Sequence, residues 1–327
     1  MKSQRLWGRW GVLLLALIGS ALPRVGHTEE YPARSIRLIS SGAPGGLTDL
    51  LTRVIADALA QPLGQRLFVD NRPGAMTMIA NIAVSNAPPD GYTLLLGASE
   101  MTMLPYLQKS AASFDAQRDL TPVALVANTW GALLVSPKFA PKTLPDLVSY
   151  AKANPDSVRY GTSGVGGALH LAVELLQMTA GIKLRHVPYK GTAQVASDTF
   201  TGEIEMASMG LSSAVANRDR LRAIVQTGPT RHPSLVDVPT TAELGLPQVR
   251  VDIWFAMMAP PNTPQPIVDR VSRAVEAALQ QAAVRDKLVS MGCEVMYLPP
   301  APFSDYIAEE KKKWARLIPA WGITLED

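Results

Sequence analysis

The sequence predicts an α/β protein of two similar lobes, and three observations indicate this. After residue 31, short apolar or β-branched runs alternate with amphipathic stretches, which is typical of parallel βα units. A glycine-rich segment joins a strand to a helix twice, at residues 41–46 and 162–167. An apolar stretch that contains Trp and ends in proline also occurs twice, at residues 128–137 and 251–260. Each lobe is therefore expected to hold a mostly parallel sheet flanked by helices.

The first lobe begins with three strands and the helices between them. The strands are expected at residues 36–40, 66–69 and 92–97, and the helices at residues 48–61 and 76–86. Thr48 can cap the free N–H groups at the start of the first helix, and Asp49 suits the positive end of its dipole. Both residues therefore mark the glycine-rich segment before them as a strand-to-helix turn.

The same rhythm follows in the second half of the chain. Strands are expected at residues 122–127, 158–161, 184–188, 204–209 and 221–227, and helices at residues 144–153, 168–179 and 266–281, with a further helix carrying Val195, Thr199 and Phe200. Two crossing strands, one that leaves lobe 1 near residue 126 and one that returns between about residues 227 and 252, would join the lobes. We therefore assign residues 29–125 and 227–327 to lobe 1 and residues 126–226 to lobe 2; the repetition of two apolar strands by chance is the simpler alternative.

The N-terminus has the pattern of a secretory signal peptide. Lys2, Arg5 and Arg9 precede an apolar run at residues 12–18, which small residues follow. This run is shorter than the roughly 20 residues that span a bilayer. We predict a signal peptide within residues 1–28, cleaved between residues 21 and 28, and a mature protein in the periplasm. Residues 1–28 hold four basic and no acidic residues, so their removal takes the formal net charge from +3 to −1.

Composition excludes several function classes. A single cysteine, Cys293, excludes an internal disulfide framework, and the four histidines lack the spacing of a metal site. The densest basic run, residues 311–313, follows Glu309 and Glu310 on an expected helix and is interpreted as a solvated face. No metal and no nucleic-acid partner is therefore expected.

The two glycine-rich turns are candidate anion sites. Backbone N–H groups at a helix N-terminus are unpaired and lie at the positive end of the helix dipole, and glycines allow an anion to approach them. Thr162 and Ser163 add hydroxyl donors, and Ser99 should lie at the same sheet edge as the first turn. Turns that face each other across a cleft would hold both ends of a dicarboxylate-sized ligand. The simpler interpretation is that the glycines only form tight turns.

No convincing catalytic pair is found. The first turn lacks the Lys-Ser/Thr ending of a P-loop, and a nucleophile elbow around Ser163 would need glycine in place of Val165. His170 on the following helix is expected to have a core or capping role. We therefore expect binding without catalysis or a cofactor. The alternative from another class is a secreted α/β hydrolase that uses Ser163 and His170.

Several blocks in the right order resemble one family. They are Pro44-Gly45-Gly46-Leu47-Thr48-Asp49, Val69-Asp70-Asn71-Arg72-Pro73-Gly74, Pro88-Pro89-Asp90-Gly91-Tyr92, Tyr160-Gly161-Thr162-Ser163-Gly164, Val187-Pro188-Tyr189-Lys190-Gly191, Asp237-Val238-Pro239-Thr240 and Ala259-Pro260-Pro261-Asn262. With these blocks, residues 31–300 resemble the tripartite tricarboxylate transporter receptors, the Bug-type periplasmic binding proteins. The aromatic-Pro-Pro-Gly-Gly run of that family is Ser-Gly-Ala-Pro-Gly-Gly at residues 41–46, and its Pro-Gly-Ala-Gly-Gly run is Pro-Gly-Ala-Met-Thr at residues 73–77.

The resemblance implies a type II periplasmic-binding fold that closes on a small organic acid or amino acid. The protein would be a monomer that passes its ligand to the permease subunits of a secondary transporter; presentation of the ligand to a sensor kinase is the alternative. Asp49 is expected to organise its loop, and Lys190 to be a counter-charge or a rim residue. The implied ligand-binding residues, together with Ser99, are Ser41, Gly42, Ala43, Pro44, Gly45, Gly46, Thr48, Asp49, Thr162, Ser163, Gly164, Lys190, Gly191, Thr192 and Asp198.

Overall fold

The computed structural model describes residues 31–325, which form two α/β lobes with one sheet each. The strands are β1 (Ile36–Ser40), β2 (Leu67–Asn71), β3 (Thr93–Ala98), β4 (Thr121–Thr129), β5 (Gly131–Val135), β6 (Arg159–Thr162), β7 (Arg185–Pro188), β8 (Met206–Gly210), β9 (Arg222–Gln226), β10 (Ile253–Ala259) and β11 (Glu294–Leu298). The first sheet has the order β11-β4-β10-β3-β1-β2, and the second has the order β7-β6-β8-β5-β9.

Helices cover the faces of both sheets. They are α1 (Leu47–Leu63), α2 (Met78–Ser85), α3 (Glu100–Leu107), α4 (Leu144–Ala153), α5 (Ala168–Ala180), α6 (Thr192–Thr201), α7 (Leu211–Ala216), α8 (Gln265–Gln280), α9 (Ala282–Ser290) and α10 (Pro300–Trp321). No helix within residues 31–325 has both the length and the apolar character needed to cross a bilayer. The predicted signal peptide lies outside the described residues.

The predicted two-lobe α/β fold is confirmed, but its sheets are mixed rather than mostly parallel. β1, β2 and β3 are parallel, whereas β10 is antiparallel to both β3 and β4, and β11 is antiparallel to β4. In the second sheet β6 is parallel to β7 and β8, whereas β5 is antiparallel to β8 and β9. The outgoing and returning segments between the lobes must run in opposite directions. Their strands therefore pair antiparallel in each sheet.

The sequence pattern predicted that the first Trp stretch forms one strand. The stretch is instead divided between the two sheets. Residues up to Thr129 belong to β4, and Gly131 begins β5. The indole of the intervening Trp130 is buried and donates from Nε1 to Asp252 Oδ1 at 2.8 Å. Asp252 lies on the returning segment just before β10, so this hydrogen bond ties the two crossing segments together. The lobe boundaries assigned above stay predictions.

The C-terminal helix provides a further contact between the lobes. Trp314 and Ile318 of α10 are fully buried in a cluster with Leu107 of α3 and Leu171 of α5. The backbone N–H of Leu325 also donates to the carbonyl of Leu107 at 2.8 Å. Apolar packing therefore joins elements of both lobes beside the crossing segments, and it stabilises their relative position.

Candidate functional site

A cavity of about 900 Å³ lies between the two lobes. Parts of both glycine-rich turns line it, so the structure brings together segments that are more than 100 residues apart in sequence. The expected site residues that line the cavity are Ser41, Ala43, Gly45, Thr48, Thr162, Ser163, Gly164 and Thr192. Apart from Glu100 and His170, the rest of the lining consists of small, hydroxyl-bearing and apolar side chains.

The first turn requires its glycines for steric reasons. A Cβ atom on Gly42 would lie 2.6 Å from the Cβ of Thr48, which is closer than real contacts allow. Gly45 has a φ of +80°, a conformation that glycine adopts without the cost that other residues incur. Helix α1 follows with Gly46 as its N-cap and no capping side chain. The N–H groups at the start of α1 are therefore available to an anion.

Asp49 braces this turn from behind, as expected. Its Oδ2 accepts from the Gly45 N–H at 2.8 Å and from Arg53 Nε at 3.1 Å, and its Oδ1 accepts from Asn71 Nδ2 at 2.9 Å. Burial opposes ionisation, but these hydrogen bonds outweigh it and lower the pKa of the Asp49 carboxyl. Asn71 also donates to the Gly42 carbonyl at 3.0 Å. The carboxylate holds the loop and does not line the cavity.

Two histidines, His170 and His186, hold the second turn. Their proximity was not predicted from the sequence. Thr162 Oγ1 donates to the Gly164 carbonyl at 2.8 Å and lies 2.8 Å from His186 Nε2. The Gly166 N–H donates to His170 Nδ1 at 2.9 Å. Helix α5 starts behind this turn with Gly167 as its N-cap and no capping side chain. Both candidate turns therefore present uncapped helix N-termini to the cavity.

A buried aromatic and acidic network supports the histidines. The rings of His170 and His186 stack with centroids 4.0 Å apart, and Tyr160 donates to Glu174 Oε1 at 2.6 Å. His170 Nε2 lies 3.5 Å from the same Glu174 oxygen. Burial lowers the pKa of His186 to about 4, so its imidazole is neutral at physiological pH. The i,i+4 spacing of His170 and Glu174 was the available sequence signal for this pair.

The hydrolase alternative has no catalytic base in this arrangement. His170 Nδ1 already accepts from the Gly166 N–H, and Nε2 faces Glu174. Neither ring nitrogen is therefore free to accept a proton from Ser163. His170 instead supports the turn through the Gly166 N–H, which agrees with the core or capping role expected from the sequence.

The remaining expected site residues lie outside the cavity lining. Lys190 is exposed, which favours its interpretation as a rim residue, and Asp198 accepts from Gln194 at 3.0 Å. Ser99 is fully buried at the start of α3, where its N–H donates to the Trp254 carbonyl at 3.0 Å. Like Asp49, four other expected site residues do not line the cavity. They are Gly42, Pro44, Gly46 and Gly191.

Two lining features were missed from the sequence. Glu100, the first residue of α3, lines the cavity beside the first turn. Residues 75–77 form a left-handed turn with φ values of +44°, +46° and +78°, and Met76 and Thr77 line the cavity. The sequence predicted that this helix starts at residue 76. Because of the turn, helix α2 begins at Met78 instead. The departure from the family's glycines at these positions was the available signal for the unusual backbone.

The charge of the lining is unusual for an anion site. Among the described residues that line the cavity, the ionisable side chains are Glu100 and His170, and none is Lys or Arg. Any carboxylate bound here would therefore be held by backbone N–H groups, hydroxyls and helix dipoles. No group of three or more His, Cys, Asp or Glu side chains in residues 31–325 could hold a metal ion.

Two α/β lobes that enclose a cleft, joined by crossing segments, define the class of two-lobe solute-binding proteins. The chain belongs to one family of that class. The model described as "Tripartite tricarboxylate transporter family receptor" matches residues 51–323. The resemblance seen in the sequence motifs is thereby confirmed. The members of this family are periplasmic solute-binding proteins and not enzymes.

Relatives along the whole described chain support this assignment. Protein BugT of Bordetella pertussis is 32% identical over 321 residues, which cover 96% of this chain and 98% of BugT. The structure of R. palustris Rpa4515 with adipate is 31% identical with a TM-score of 0.78, and the match covers 90% of this chain and 99% of that one. MatC (Rpa3494) from Rhodopseudomonas palustris with bound malate is 30% identical with a TM-score of 0.74, and the match covers 88% and 100%.

Proposed function

We propose that this chain is an exported receptor that captures a small carboxylated metabolite in the interlobe cleft and delivers it to a tripartite tricarboxylate-type transporter. The observation that carries the proposal is the pair of uncapped helix N-termini, α1 and α5, on opposite sides of one cavity. Two related proteins of known structure hold dicarboxylates, adipate and malate. A carboxylate in this cleft would accept hydrogen bonds from the free N–H groups of either turn.

Ligand capture and delivery require two further properties. The lobes must be more closed with the ligand bound than without it. Only the ligand's greater affinity for the closed form can drive that closure. The signal-peptide pattern of residues 1–28 and the family's transporter support export and delivery to permease subunits. The mature receptor acts as a monomer in this proposal.

Gly167 offers a sharp test of carboxylate capture. It lines the cavity as the N-cap of α5, and a Cβ atom there would meet nothing within 4 Å. Both Asp and Asn are good N-caps, so Gly167→Asp and Gly167→Asn should both fold, and the side chain of each takes one of the free N–H groups of α5 in the same way. Only Gly167→Asp places a negative charge beside the bound carboxylate. Repulsion of about 2–3 kcal/mol at this range weakens binding roughly 30- to 150-fold.

The test is isothermal titration of both variants and the wild type with mono-, di- and tricarboxylates, aromatic acids and amino acids. We expect Gly167→Asn to bind the same carboxylate as the wild type, several-fold more weakly because its side chain takes one N–H group, and Gly167→Asp to bind it far more weakly than Gly167→Asn. The absence of binding to every compound, in protein freed of co-purified ligand, would contradict the proposed function. Equal affinity of the two variants would contradict the α5 N-terminus as the carboxylate site.

A further inference from the structure

Glu100 is an acidic side chain in the cleft that carboxylate capture does not use. It begins α3 and lines the cavity, and its Oε2 is buried without a hydrogen-bond partner. Burial raises the pKa of the Glu100 carboxyl, because the charged form loses hydration there. A buried carboxylate oxygen without a partner is costly, so a ligand group that donates to it would recover this cost.

The sheet places Glu100 next to the first turn. β1 and β3 are adjacent parallel strands, with Ser40 paired to Leu96, and the Ser41 N–H donates to the Leu96 carbonyl at 3.3 Å. Neighbouring strands are about 4.8 Å apart, so the start of α1 and Glu100 emerge side by side at one sheet edge. An electropositive helix N-terminus and a carboxyl group therefore lie next to each other on one wall of the cleft.

This juxtaposition disfavours a ligand that carries only negative groups. The described cavity lining includes no Lys or Arg that could offset the charge of Glu100. A simple carboxylate on the first turn would therefore lie beside a carboxyl group that no cation offsets, and its binding would require Glu100 to be protonated. A ligand with an ammonium group next to its carboxylate would instead satisfy both partners, the carboxylate on the N–H groups and the ammonium on Glu100.

We propose that the ligand of this receptor is an α-amino acid whose carboxylate binds the first turn and whose α-ammonium group pairs with Glu100. The proposal rests on the proposed function and narrows its ligand class. The adjacent positions of the two groups on the wall match the adjacent carboxylate and ammonium groups of an α-amino acid. The amino-acid side chain would extend across the cleft, whose lining includes Leu50 and Val165, and a carboxylate or other acceptor at its end would bind the free N–H groups of α5.

The test compares each of the twenty L-amino acids with the acid of the same carbon skeleton that lacks the α-amino group. Isothermal titration of the wild type should find at least one amino acid that binds, with its des-amino acid roughly 10- to 100-fold weaker, the range of a charged hydrogen bond. Glu100→Gln keeps the shape of the side chain and removes its charge. It should weaken amino-acid binding by a similar factor and leave the des-amino acid unchanged or bound more tightly.

Asp57→Asn is the matched control, because Asp57 is an exposed carboxylate on α1. This variant should bind both members of the pair like the wild type. A des-amino acid that binds the wild type as tightly as its amino acid would overturn the role of Glu100 and leave carboxylate capture standing. A Glu100→Gln variant that still prefers the amino acid to its des-amino acid would also overturn the role of Glu100 and leave carboxylate capture standing. If the wild type binds neither member of any pair nor another carboxylate, the proposed function itself fails. The wild-type ratio tests the proposal even if Glu100→Gln does not fold.

Discussion

At the scale of single residues, the two turns of the cleft are held by supporting side chains. Asp49 holds the first turn through the Gly45 N–H, and His170 holds the second through the Gly166 N–H. The family resemblance implied that Asp49 organises its loop, because a carboxylate at an anion site would repel its ligand. His170 was expected to have a core or capping role. Glu100 was not found in this way, because the burial of its carboxyl depends on neighbours that are distant in sequence.

The histidine network makes the stability of the second lobe sensitive to acid. His186 has an ordinary pKa of 6.5 in the unfolded chain and a pKa of about 4 in the folded protein, so the unfolded chain takes up the proton first as the pH falls. The stabilisation is therefore fully present above about pH 6.5 and is lost as the pH falls toward 4. His186→Gln, which can still donate to Thr162, should make the melting temperature fall less between pH 7 and 4.5.

Thermal unfolding at several pH values checks this expectation. His232→Gln is the control, because burial also lowers the pKa of His232 but this residue lies outside the network. Each single variant should keep the acid sensitivity that the other loses. An unchanged dependence on pH in His186→Gln would show that His186 does not resist protonation in the folded protein.

At the scale of elements, the sequence located those with local signals. Helix α4 occupies Leu144–Ala153 as predicted, because Thr143 and Asp146 form a reciprocal capping box at its start. The division of the first Trp stretch at Trp130 has no such signal. Its cause is tertiary, since the chain leaves one sheet and enters another there. The left-handed turn at residues 75–77 was also missed, because its own residues are not glycines and only the comparison with the family's glycines indicates it.

Ala75 tests the strain in that turn. It is exposed with a φ of +44°, a conformation that costs a non-glycine residue roughly 1–2 kcal/mol. Ala75→Gly removes this cost, but ordering the more flexible glycine on folding costs about 0.5–1 kcal/mol of conformational entropy. We therefore expect a net stabilisation of about 0.5–1 kcal/mol in urea unfolding. Ala315→Gly, at an exposed position inside α10, should instead destabilise by about 1 kcal/mol. A loss of stability in both variants would contradict a strained turn.

At the scale of the whole molecule, two lobes enclose a cleft that, in the proposed function, binds through dipoles rather than through net charge. The formal charge falls from +3 to −1 without residues 1–28, and the described cavity lining has no Lys or Arg. The two-lobe fold and both turns could be predicted because glycine-rich segments and strand–helix alternation are local in sequence. The mixed strand directions and the charge of the cleft could not, because they depend on which distant segments become neighbours.

The identity of the captured molecule is the most direct test of carboxylate capture in the cleft. The measurement is mass spectrometry of the compound released from gently purified wild type, Gly167→Asn and Gly167→Asp proteins. We expect one carboxylated metabolite in stoichiometric amount from the wild type and Gly167→Asn, and its absence from Gly167→Asp. Release of the same carboxylate from all three proteins would contradict its binding at the α5 N-terminus, and release of a compound without a carboxyl group would contradict capture of a carboxylate between the lobes.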